Sequence, residues 1–129
     1  EFRRVLFRST PEYCMQFGVP FLKAVRVRPG LDLLQYARDF HRAKALLLDA
    51  YVDGTPGGTG HTFDWSLIPR NLPLPVVLSG GLTPDNVCEA VRTVRPWAVD
   101  VSSGVESSKG IKDAAKIAAF ISGVRNADV

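Results

Sequence analysis

Four short apolar runs alternate with amphipathic stretches along this chain, and that alternation restricts the fold more than any single motif does. The runs are PFLKAVRV (20–27), KALLLDA (44–50), LPVVLSG (74–80) and WAVDVSSG (97–104). Each is rich in Val, Leu or Ala and bounded by Pro or Gly, the pattern of strands covered on both faces. Between the last two runs, Thr83 is the expected N-cap with Pro84 at the first helical position. Val87, Ala90, Val91 and Val94 then share one face before Pro96 stops the helix. Ala114, Ile117, Ala118 and Ile121 define the expected apolar face of a last helix, ended by Gly123. Leu33, Leu34, Ala37 and Phe40 give a looser stripe, FDWSLIP leaves room for one short helix, and TPEYCMQFG supplies a helix ahead of the first strand.

The resulting order is α-β-α-β-α-β-α-β-α, which means right-handed crossovers and a parallel sheet with helices outside. The 129 residues, 46% hydrophobic and 22% charged, suit one globular unit. Two architectures compete, a small open doubly wound sheet and part of an eight-stranded barrel. A whole barrel takes about 250 residues, so four βα units are half of one.

The net charge of +3 hints at nucleic acid, but EFRRVLFRS (1–9) holds three arginines against one glutamate, and the remainder is at +1. With no basic stripe interleaved with aromatics, nucleic-acid binding is not expected. Residues 1–9 open on Glu-Phe without a methionine and join no downstream pattern, so they read as a foreign, cloning-derived tail, leaving 10–129 as the domain. No run of 18 apolar residues exists, so no membrane span is expected. Cys14 and Cys88 lie far apart and in no ligand spacing, which fits a reduced, cytoplasmic compartment and no metal.

In either architecture ligands bind at the carboxyl ends of the strands. Asp49 ends the second strand, Ser79, Gly80 and Gly81 end the third, and Asp100 followed by Ser102, Ser103 and Gly104 ends the fourth. The glycine-rich stretch after Asp49 is neither a Walker loop nor GxGxxG, and GGTG alone is a weak signal. Two further glycine loops after the last two strands strengthen it, because barrels often cradle a phosphate between the loops after strands seven and eight.

Three blocks, LLLDAYVDGTPGGTGHTFDW (46–65), VVLSGGLTPDNV (76–87) and VDVSSGVESSKGIKD (99–113), resemble successive segments of phosphoribosylanthranilate isomerase. The likeness runs from about Pro11 to Ala127. It implies a TIM-type (βα)8 barrel truncated to about its last four βα units, strands five to eight, with parallel strands and outer helices. It also implies an Amadori rearrangement in tryptophan biosynthesis on a phosphorylated small-molecule substrate, with no organic cofactor. By that resemblance Asp49 is the general acid and Asp100 faces the substrate. Gly80, Gly81, Ser103 and Gly104 hold the phosphate, and Gly57, Gly58 and Gly60 shape a loop over the substrate. The family's general base is a cysteine in a KICG-like block, and none of these 129 residues forms one.

The remaining candidates read as structural. Cys14 and Cys88 are expected as core or helix-surface thiols, His61 as a loop residue and His41 at a helix end. Phe63 and Trp65 pack the loop, Trp97 belongs to the core, and Asp53 and Glu106 are solvated. Another phosphate-binding barrel of the tryptophan or histidine pathways is the rival enzyme. A catalytically inert half barrel that binds phosphate, or self-associates through unpaired strand edges, is the rival of another class.

Overall fold

A computed structural model describes residues 3–5, 9–50 and 64–127. Five parallel strands form one sheet in sequential order: β1 (Arg3–Val5), β2 (Phe21–Val27), β3 (Ala45–Ala50), β4 (Val76–Leu78) and β5 (Ala98–Val99). The helices α1 (Pro11–Met15), α2 (Leu33–Asp39) and α3 (Val87–Val94) fall between them, and α4 (Ala114–Ala127) closes the described chain. A hairpin of β6 (Glu106–Ser108) and β7 (Ile111–Lys112) separates β5 from α4.

Each central strand presents alternate residues to opposite faces. Val25, Val27, Leu46, Leu48 and Leu78 point to the helix side, where Leu33, Ala37, Val87, Ala90 and Phe120 complete the main core. Ala24, Ala45, Leu47 and Val77 form a separate apolar layer on the other face, with Leu22 and Ala98 against it. A sheet buried on both faces in this way explains why its strands read as continuous apolar runs rather than as an alternation.

The helix starts are set by local chemistry. Thr10 and Asp32 accept the backbone N–H groups of Tyr13 and Gln35 at 3.2 and 3.0 Å, capping α1 and α2. Asp64 caps a single 3-10 turn, Trp65–Leu67, whose Trp65, expected to pack the loop, packs against the main core. Thr83 is not the cap of α3, which begins four residues later. Its hydroxyl instead accepts from the Asp85 N–H at 3.2 Å, while Asn86 Oδ1 accepts from the Thr83 N–H at 2.8 Å. Those bonds complete a turn ahead of the helix.

Four further expectations are corrected. Residues 3–5 do join the sheet, running parallel to Phe21–Lys23. Helix α4 passes through Gly123 to Ala127, and the glycine serves a close crossing with α3 instead, since a Cβ at 123 would stand 2.6 Å from Val87 Cγ1. Its inward side is Phe120, Gly123, Val124 and Ala127, whereas Ile117 and Ile121 are 38% and 46% exposed. Trp97, expected in the core, is 67% exposed at the start of edge strand β5.

Lys23 is fully buried among Cys14, Phe21 and Phe40 on the helix side of β2. Its Nζ donates to the Ser9 carbonyl at 3.0 Å and lies 4.6 Å from the Phe40 ring centroid. Burial pushes its ammonium below the ordinary 10.5, and pushes the neighbouring Cys14 thiol up from 9.0. The unfolded chain therefore holds the Lys23 proton at pH values where the folded chain has released it, so this group makes stability rise with pH up to about 10.5. As pH rises toward about 10.5, the protein should gain stability relative to Lys23→Met in urea unfolding. Parallel pH profiles for the two chains would contradict this.

Candidate active site at the strand ends

The sheet register builds the site. Leu22 pairs with Ala45 at the base of the non-helix face, and Ala24, Leu47, Val77 and Ala98 are consecutive partners one layer up. In the next layer Arg26 pairs with Asp49. One step beyond the Leu48–Leu78 and Leu78–Val99 pairs, Ser79 and Asp100 continue that row. The ladder extends through it, with the Ser79 N–H on the Leu48 carbonyl and the Asp100 N–H on the Leu78 carbonyl, both at 2.8 Å. Paired residues of parallel strands share a face. Arg26, Asp49, Ser79 and Asp100 therefore form one polar row capping two apolar layers at the carboxyl ends of the strands.

Asp49 is 8% exposed and Ser79 9% exposed, whereas Asp100 opens to solvent. The Ser79 hydroxyl donates to Asp100 Oδ2 at 3.0 Å. Beyond Ser79, Gly80 and Gly81 take φ values of 88° and 69°, a conformation that other residues enter only with strain. This turn ends β4 at Leu78, short of the expected run, and Asn86 Nδ2 holds it by donating to the Gly81 carbonyl at 3.0 Å.

The second loop leans on the first. A Cβ at Gly104 would overlap the Leu82 carbonyl, so only glycine lets the two backbones approach this closely. Ser103 and Gly104 lie in a 3-10 turn, Ser103–Val105, braced by a lysine. Lys112 Nζ donates to the Ser102 carbonyl at 3.0 Å and to Glu106 Oε2 at 2.8 Å, and Lys116 Nζ donates to the Glu106 carbonyl at 2.7 Å. Glu106 is thus an ion-paired brace rather than the expected solvated residue, and the Lys112 hydrogen bond draws its carboxyl below the usual glutamate range.

The structure brings Asp49, Asp100, Gly80, Gly81, Ser103 and Gly104 to one rim. Gly57, Gly58 and Gly60, together with Asp53, His61 and Phe63, lie outside the described residues. His41 sits just past the end of α2 and ahead of β3, its Nδ1 3.1 Å from the Arg38 carbonyl. Cys14 is buried and Cys88 half-buried, both free thiols within helices. Among the described residues no His, Cys, Asp and Glu side chains group to hold a metal, and no helix is long and apolar enough to cross a membrane.

Arg26 was not singled out from sequence, and Ser79 was named only as the residue that, with Gly80 and Gly81, ends the third run. Counting by twos from Leu22 through Ala24 reaches Arg26 as the last residue on the non-helix face, and Ser79 follows from Val77 in the same way. That periodic count was the available signal, hidden because both faces of the strands are apolar.

Parallel strands with outer helices, a polar row at the strand ends and glycine loops beside it define a βα protein of the barrel type. Residues 8–123 match the model of the family described as N-(5'phosphoribosyl)anthranilate (PRA) isomerase. The chain belongs to that family. It is 67% identical over 116 residues to N-(5'-phosphoribosyl)anthranilate isomerase of Nitrosospira multiformis, covering 90% of this chain and 56% of that protein. The isomerase of Nitrosomonas eutropha is 60% identical over 120 residues, with 93% and 58% covered. Crystalline phosphoribosyl anthranilate isomerase from Thermotoga maritima superposes with a TM-score of 0.80 at 37% identity, covering 96% of this chain and 61% of that one. Another isomerase structure, in complex with reduced 1-(o-carboxyphenylamino)-1-deoxyribulose 5-phosphate, gives a TM-score of 0.76 at 36% identity, covering 96% and 59%. The chain thus spans somewhat over half the length of the relatives it matches.

Proposed function

We propose that residues 10–129 are the second half of a phosphoribosylanthranilate isomerase barrel, strands five to eight, and that the whole protein converts N-(5-phosphoribosyl)anthranilate to 1-(2-carboxyphenylamino)-1-deoxyribulose 5-phosphate. The observation that carries this is the row of Asp49, Ser79 and Asp100 above apolar layers, flanked by two glycine loops, in a chain whose family match spans residues 8–123. We take the start of the chain, of which residues 1–7 lie outside the family match, as a tail foreign to the family. Their strand pairing is compatible with that origin, since any extended segment can complete an open sheet edge.

The roles follow from position. Asp49, mostly shielded at the end of β3, protonates the ribose ring oxygen as the ring opens. Asp100, reachable from solvent, accepts hydrogen bonds from the substrate. The backbone N–H groups around Gly80, Gly81, Ser103 and Gly104 line two touching loops and receive the phosphate. A general base must then take the proton from sugar carbon 2. Cys14 and Cys88 cannot do so from their helices, and we assign the base to a cysteine beyond these 129 residues. No metal or organic cofactor has a part in this chemistry.

The second reading, an inert half barrel that binds phosphate or associates with itself, is favoured by specific features. Edge strand β5 has no partner on its outer side among the described residues, and Trp97, next to it in sequence, is exposed, as are Ile111, Ile117 and Ile121. Assay of the purified 129-residue chain should show no turnover. Complementation of a tryptophan auxotroph should succeed only when a KICG-type strand precedes residue 10. Turnover by the chain alone would refute the assignment of the base elsewhere, and failure of both chains would favour the inert reading.

A further inference from the structure

Ser79 is a rim residue that no role above employs. It is buried, its backbone N–H is fixed to Leu48, and its hydroxyl reaches the exposed Asp100 carboxylate at 3.0 Å. Asp100 is itself fixed at the backbone by Leu78, so rotation of its side chain is the freedom that remains, and a hydroxyl donor on one oxygen restricts it. Resting on the proposed role of Asp100, we infer that Ser79 is a positioning residue for the reaction. It binds Oδ2 and leaves Oδ1 as the acceptor for a hydroxyl of the opened sugar. The segment just past β4 thereby serves two purposes: the Ser79 side chain orients the carboxylate just past β5, and the two glycines that follow turn the backbone toward the phosphate.

The placement distinguishes this role from a structural cap. A capping serine satisfies a backbone group of its own loop, whereas Ser79 reaches across the sheet to a carboxylate 21 residues away. A carboxylate that samples several rotamers binds a sugar hydroxyl less well, because ordering it then occurs on binding.

The test uses the 129-residue chain and two probes, inorganic phosphate and reduced 1-(o-carboxyphenylamino)-1-deoxyribulose 5-phosphate, followed by amide chemical shifts. Ser79→Ala should weaken the reduced compound about 5- to 10-fold, the effect of one hydrogen bond, while phosphate affinity stays unchanged and shows that the loops remain folded. Ser79→Thr keeps the hydroxyl and should restore most of the loss. Ser79→Ala added to Asp100→Asn should cost nothing further. Equal affinity of the original and Ser79→Ala chains for the reduced compound, or a loss shared by both probes, would overturn the positioning role alone. If the original chain binds neither probe, the site assignment fails and the role of Ser79 fails with it.

Discussion

In a complete isomerase carrying residues 10–129, Asp49→Asn is expected to lower turnover about a thousandfold, the usual scale for removing a positioned proton donor. That corresponds to about 4 kcal/mol of transition-state stabilisation. Asparagine keeps the shape of the side chain and can still occupy the end of β3 between Arg26 and Ser79, so the fold should survive. The loss should therefore fall on the catalytic constant, with substrate still bound by the phosphate loops. Steady-state assays resolve this directly. Activity near that of the unaltered enzyme would remove Asp49 from the mechanism.

Gly104→Ala should have the largest effect on the loops. The added methyl would overlap the Leu82 carbonyl, a backbone group that cannot rotate aside, and one of the two loops must move. Forcing such a contact costs about 3 kcal/mol. Because Leu82 follows directly on Gly80 and Gly81, the shift should also separate the two halves of the proposed phosphate cradle. Urea unfolding should show the loss of stability, and phosphate binding should weaken with it. An alanine chain as stable as the original would mean that the loops do not meet at Leu82.

The element order was legible because Pro and Gly punctuate the apolar runs, and the bounds of β2, β3, α1 and α2 fall close to those expected. The site was partly legible. Asp49 and Asp100 stand out as acids ending apolar runs, and the glycines beside them mark the turns. What failed depended on the third dimension. Trp97 reads as core by composition, but it begins an edge strand with nothing on its outer side among the described residues. In α4 the stripe Ala114, Ile117, Ala118 and Ile121 has the right spacing, yet Phe120 and the close approach at Gly123 orient the helix toward α3 by another side. Lys23 would never be placed in a core from its type, and becomes intelligible once the Ser9 carbonyl and the Phe40 ring are seen around it. The link from Ser79 to Asp100 escaped because its partner lies at the end of the next strand, which only the register reveals.

Titration of the 129-residue chain with inorganic phosphate, followed residue by residue through amide chemical shifts, tests most directly whether the rim is an anion site. The expected result is saturable shifts at Gly80, Gly81, Ser103 and Gly104, with α1 and α2 unaffected. Saturation without movement of those four amides, or shifts centred elsewhere on the sheet, would contradict it.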